Sequence, residues 1–157
     1  MEKYIQPFIK VSEKVFSEFC NMEIKPGRVF FVSQDEYEKI WDISGIIGLS
    51  GEVTGAVAIS LQDVTAFQIA KILTGQDHNS FDEYVTDAIG EIINIIAGNV
   101  KKDFEEELRI KISLPTIVKG KAHSIVWPSG KTRIICIPFI IFSDQEMCLS
   151  VAVDPTK

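Results

Sequence analysis

Residues 80–107 read SFDEYVTDAIGEIINIIAGNVKKDFEEE, and their periodicity decides the fold. Phe81, Val85, Ala88, Ile89, Ile92, Ile96, Val100 and Phe104 recur at three- to four-residue steps, which is one continuous apolar stripe at helical period. Ser80 and Glu83 have capping-box spacing at its start. A helix of about seven turns, ending near Glu107, is expected.

On the N-terminal side, residues 4–20 place Ile5, Phe8, Ile9, Val15, Phe16 and Phe19 near the same period, which predicts a second long helix. Lys25-Pro26-Gly27 marks a turn, and residues 28–33 suit a strand. Residues 43–49 and 53–61 suit a hairpin about Ser50-Gly51-Glu52, with Gly55 marking a bulge or a close backbone approach. Residues 63–73 suit a short helix stopped by Gly75. After the long helix come strand candidates at 109–114, 122–127, 132–142 and 147–153. Turns are expected at Trp127-Pro128-Ser129-Gly130 and Ser143-Asp144-Gln145. Each half thus offers a long helix, a short strand beginning near Glu23-Ile24-Lys25 or Arg109-Ile110-Lys111, and a later apolar hairpin. The expected class is α+β: two pseudo-duplicated halves forming one mixed sheet with long helices packed on it. No low-complexity linker divides them, so residues 1–157 are expected to be one domain with a shared core.

Composition narrows the function. Of the 157 residues, 46% are hydrophobic and 24% charged, as in an ordinary folded soluble protein. The net charge of −6 argues against nucleic acid and against an anionic membrane surface, because both need a surface rich in Lys and Arg. No apolar run is long enough to span a bilayer, and the start MEKYIQPFIK has no signal-peptide core. A cytoplasmic location is expected. Cys20, Cys136 and Cys148 form no C-x-x-C pair and suit buried, reduced thiols. His78 and His123 lack partners at metal-ligand spacing and suit surface roles.

The informative polar residues lie opposite the apolar stripe. Asp87, Glu91 and Asn94 are spaced i, i+4, i+7, so they fall within roughly 60° of one another on a helix. Charged lines on helices usually face solvent without further purpose. Here Asn94 is a mediocre mid-helix residue, and Gly90 and Gly98 each cost about 1 kcal/mol relative to Ala. Glycines bare a helix surface, and Ile95 flanks the line, which suits a docking face. One carboxylate and one amide supply no nucleophile. An amide can orient a water where the bond to be broken is already reactive and the rest of the site belongs to a partner.

The run Asp87-Ala-Ile-Gly-Glu91-Ile-Ile-Asn94-Ile-Ile-Ala-Gly-Asn99 resembles the D/S-x-x-x-E-x-x-N signature of the CheC/CheX/FliY phosphatases, which dephosphorylate CheY in chemotaxis. The order of elements across nearly the whole chain is similar too. CheC proteins typically carry the signature twice. Here Ile5 and Phe8 stand opposite Glu91 and Asn94 in the first helix, and one motif is the CheX pattern. The resemblance implies that Glu91 pairs with the active-site lysine of a phosphorylated CheY-like response regulator, and that Asn94 holds the attacking water. Asp87, Gly90, Ile95 and Gly98 would form the docking surface around them. It also implies that Mg²⁺ belongs to the receiver domain, that this chain holds no cofactor or metal of its own, and that the protein forms homodimers through sheet edges.

Two other readings stay open on the residues. One is a non-catalytic module that docks a receiver domain or a flagellar-switch component on the same face. The other is a free-standing hydrolase using Asp87 and Glu91 as an acid–base pair.

Overall fold

The computed structural model describes residues 2–32, 40–125 and 132–155. In chain order the elements are α1 (Glu2–Cys20), β1 (Lys25–Pro26), β2 (Phe30–Val32), β3 (Trp41–Gly51), β4 (Val53–Leu61), α2 (Asp63–Thr74), α3 (Glu83–Phe104), β5 (Ile110–Ile112), β6 (Thr116–His123), β7 (Ile134–Ile141) and β8 (Gln145–Pro155). The turn expected at residues 127–130 and the strand end expected at Ser33 lie outside the described residues.

The strands make one sheet in the order β1-β7-β8-β4-β3-β5, with β2 also on β7 and β6 also on β3. Every pairing among the described residues is antiparallel, where a mixed sheet was expected. The reason lies in the connections. β3–β4 and β7–β8 are hairpins, and no crossover returns a neighbouring strand in the same direction.

The α+β duplication is present, and the halves exchange strands. β1 and β2 of the first half pair with β7 of the second, while β5 and β6 of the second pair with β3 of the first. The register repeats as well. Phe30 pairs with Cys136 and Phe31 with Ile135, as Thr116 pairs with Ile46 and Ile117 with Gly45. The central β4–β8 ladder carries Ala58 opposite Ser150, the pair through which the two halves interchange.

Alternation along the strands divides the sheet faces. Ile43, Ile47, Val57, Ile59, Leu61, Ile137, Phe139, Ile141, Met147, Leu149 and Val151 join one buried cluster with α1 and α3, so both halves feed the same core. Cys136 and Cys148 cluster with Trp41. The three thiols are free and buried, and burial pushes the Cys20 thiol up to about 11, so it stays protonated at neutral pH. Gly55 marks a close backbone approach: a Cβ there would fall 1.9 Å from the carbonyl oxygen of Ala152 on β8. Gly75 ends α2 in the left-handed region, its N–H bonded to the Lys71 carbonyl at 2.7 Å. Among the described residues no helix is long and apolar enough to cross a membrane.

Two strand expectations and one helix end need adjusting. The strand read at 122–127 is β6, which begins at Thr116, and β5 stops at Ile112, short of Leu114. The long helix ends at Phe104, about one turn short of Glu107; Leu108 N–H still closes onto the Phe104 carbonyl at 2.7 Å.

Candidate functional site on helix α3

α3 is fixed at both ends and along one side. Its N-cap is Asp82, not Ser80: the carboxylate accepts the Val85 N–H at 3.0 Å. Phe81 stacks against Phe67 of α2 with ring centroids 5.4 Å apart, which sets the chain entry immediately before Asp82. His78, expected at the surface, is half-buried as a residue, and its side chain is only 2% exposed. Its Nδ1 lies 2.9 Å from Asp82 Oδ2 and its Nε2 lies 2.8 Å from Thr74 Oγ1, so it clamps the end of α2 to the start of α3. At the other end Lys101 and Lys102 oppose the negative pole of the helix dipole.

The inward side is apolar. Ile89, Ile92, Ile93 and Ile96 are each at most 1% exposed, and burying each side chain contributes roughly 1.5–3 kcal/mol. Gly45 of β3 lets the helix lie close: a Cβ at Gly45 would come within 3.1 Å of Ile93 Cγ2 and 3.3 Å of Ile89 Cγ2. Rotation about the helix axis is therefore determined, and with it the outward line.

On that line Asp87 and Glu91 are exposed, and Asn94, Ile95, Gly98 and Lys101 are half-buried. Asp87 and Glu91 have no ion-pair partner among the described residues. The Asn94 carboxamide has no hydrogen-bond partner among them either. Asn99 differs: its Nδ2 donates to the Ile95 carbonyl at 3.0 Å, so its amide is committed to its own helix. Gly98 leaves open space, with no atom within 4 Å of an added Cβ. Ile95 packs partly against the core.

Gly90 departs from the expectation. It is buried, and a Cβ there would rest 3.7 Å from Pro115 Cγ and 3.6 Å from Ile117 Cδ1. It forms the seam between α3 and the chain leading into β6, so it does not bare a surface. His123 also differs from a plain surface histidine. Its Nδ1–H donates to the Gly120 carbonyl at 2.8 Å, and its Nε2 lies 2.8 Å from the buried Ser44 hydroxyl, itself 2.8 Å from Ser60. The sequence reading missed the Asp82–His78 clamp, although an Asp just before the apolar stripe and a His four residues upstream were visible signals.

The site therefore offers an exposed carboxylate, Glu91, and one turn away a half-buried amide, Asn94, with no hydrogen-bond partner among the described residues. It can donate and accept hydrogen bonds toward a second molecule, and it holds no nucleophile.

Comparison with known proteins gives the family. The family model described as chemotaxis phosphatase CheX matches residues 43–139, a span that includes all of α3. CheY-P phosphatase CheX of Thermotoga maritima is 28% identical over 138 residues, 87% of this chain and 86% of that protein. Chemotaxis protein CheX of Vibrio vulnificus superposes with a TM-score of 0.86 at 25% identity, covering 97% of this chain and 99% of that one. CheX of Borrelia burgdorferi, in a crystal structure with CheY, BeF3 and Mg²⁺, superposes with a TM-score of 0.81 at 24% identity over 96% of this chain and 97% of that one. With the family model covering more than half of its length, the chain belongs to the chemotaxis phosphatase CheX family.

Proposed function

We propose that this protein hydrolyses the aspartyl phosphate of a CheY-type response regulator in the cytoplasm, presenting Glu91 and Asn94 to the receiver domain on α3. The observation that carries the reading is the half-buried Asn94 carboxamide on the outward line, with its hydrogen-bonding capacity unspent among the described residues. The family and the phosphatase activity named for the Thermotoga maritima relative support the substrate class.

An acyl phosphate is already activated, and the receiver's own Mg²⁺ and lysine carry charge in the transition state. What this chain adds is order. The Asn94 amide hydrogen-bonds the water and holds it in line with phosphorus. The water oxygen bonds to phosphorus, the bond from phosphorus to the aspartyl oxygen breaks, and the products are the free carboxylate and inorganic phosphate. Glu91 pairs with the receiver lysine and fixes the approach of the helix, with Asp87, Ile95 and Gly98 bordering the contact. A homodimer formed through sheet edges is part of the same reading.

Loss of phosphate from a phosphorylated CheY-type receiver is the test. Catalytic amounts of this protein are expected to speed it. Stoichiometric binding with an unchanged decay rate would make the protein a docking module and overturn the reading.

A further inference from the structure

The edge strand beside α3 is interrupted at one place. β5 and β6 both lie along β3, with Ile112 opposite Leu49 and Thr116 opposite Ile46. Between those pairs β3 supplies Ile47 and Gly48, while the other strand supplies Ser113, Leu114 and Pro115. One residue is extra, which makes a β-bulge. Its effect on facing is direct. Ile110 and Ile112 pack toward the core, and unbroken alternation would send Leu114 the same way. The bulge reverses the alternation, so Ile117 packs inward and Leu114 turns out to 86% exposure, the highest of the exposed large apolar side chains among the described residues.

The bulge is held firmly. Ser113 N–H donates to the Gly48 carbonyl at 2.9 Å, Gly48 N–H donates to Ser113 Oγ at 2.8 Å, and Ser113 Oγ donates to the Leu114 carbonyl at 2.9 Å. Pro115 then fixes the next backbone dihedral and rests against Gly90 of α3. Gly90 is one turn before Asn94, so on the helix surface Asn94 neighbours this seam.

Single exposed leucines are common and need no explanation. The duplicated fold supplies the comparison that sets this one apart. Pro26 lies opposite Phe139 and Phe30 opposite Cys136, leaving Gly27, Arg28 and Val29 against Ile137 and Pro138: the same bulge in the other half. There the apex is Arg28, and the neighbouring helix carries Ile5 and Phe8 where α3 carries Glu91 and Asn94. The apolar apex occurs in the half that carries the polar pair.

We propose that Leu114 is a docking residue for the receiver domain, an apolar anchor on a rigid bulge that seats beside the entry point of Asn94. This rests on the phosphatase reading above. The occupant is the receiver because exposed Leu114 directly precedes Pro115, which rests on Gly90 of α3, one turn from Asn94 and next in sequence to Glu91. Leu114 contributes binding, not chemistry, so it acts on KM and leaves kcat alone.

Steady-state phosphate release from a CheY-type receiver kept phosphorylated with acetyl phosphate tests this. Leu114→Ala is expected to raise KM roughly five-fold and Leu114→Asp about ten-fold or more, with kcat within about two-fold of the parent. Arg28→Ala should change neither, and melting temperatures should match. Parent-like KM in both Leu114 variants, with Asn94→Ala inactive, would overturn the inference and leave the proposed function standing. An active Asn94→Ala would overturn both. If Leu114→Asp instead turned a dimer into a monomer by light scattering, the leucine would belong to a contact between copies, and the inference would fail.

Discussion

The Nδ1–H of His78 donates to Oδ2 of Asp82 across 2.9 Å, while the other oxygen of that carboxylate accepts the Val85 N–H at 3.0 Å. One side chain thus ties the α2–α3 connection to the first turn of the helix that carries Glu91 and Asn94. The histidine bond first, and the Val85 N–H second, hold the Asp82 carboxyl below the usual carboxylate range. Because the folded value lies under the unfolded one, ionised Asp82 favours the folded chain above about pH 3.9 and loses that advantage as pH falls through the folded value. Asp82→Ala is therefore expected to lower Tm at neutral pH, with the gap closing below about pH 4. Melting curves of both proteins across pH check this; a gap that ignores pH would show that the carboxylate charge plays no part.

Gly98 and the partner surface can be separated by size. Gly98→Ala should raise stability by about 1 kcal/mol, because the site is open and mid-helix glycine is unfavourable. Gly98→Trp should fold normally yet raise the KM for the phosphorylated receiver about ten-fold by obstructing the contact. Chemical denaturation and steady-state kinetics measure the two effects. A parent-like KM in the Trp variant would remove Gly98 from the docking face.

Gly55 sits where the central strands touch. With a Cβ only 1.9 Å from the Ala152 carbonyl oxygen, Gly55→Ala must push β4 from β8. A loss of roughly 3 kcal/mol is expected from overpacking. Urea denaturation showing less than about 1 kcal/mol would mean that the ladder yields more easily than a close-packed sheet should.

The first helix cannot be converted into a second site. Phe8 is 6% exposed and belongs to the shared core. Phe8→Asn is expected to cost about 3–5 kcal/mol, as for other large-to-small aromatic losses. Ile5→Glu combined with Phe8→Asn should destabilise the protein and add no phosphatase activity; a faster variant would contradict this.

Much of the fold was legible because local chemistry and tertiary packing agree. The α3 stripe, the Gly75 stop and the hairpins are each specified by residues close in sequence. Strand exchange between halves was not, since nothing in a two- or three-residue strand such as β1 or β5 says which hairpin it will join. Gly90 and Gly98 show the same limit at the site. Both are mid-helix glycines near one polar line, yet one is covered by Pro115 and Ile117 and the other is open. What distinguishes them is the chain from Pro115 to Ile117, placed by pairing with β3. Likewise His78 looked like a loop histidine until α2 and α3 closed around it.

Asn94 gives the most direct measurement. Single-turnover decay of a phosphorylated CheY-type receiver, with saturating Asn94→Ala and with the parent, isolates the step that the amide is proposed to control. The expected result is a stimulated rate lower by about 10²–10³, or roughly 3–4 kcal/mol, with the fold unchanged by circular dichroism and affinity for the beryllofluoride-loaded receiver within a few-fold. A variant that binds and dephosphorylates as the parent does would contradict the account.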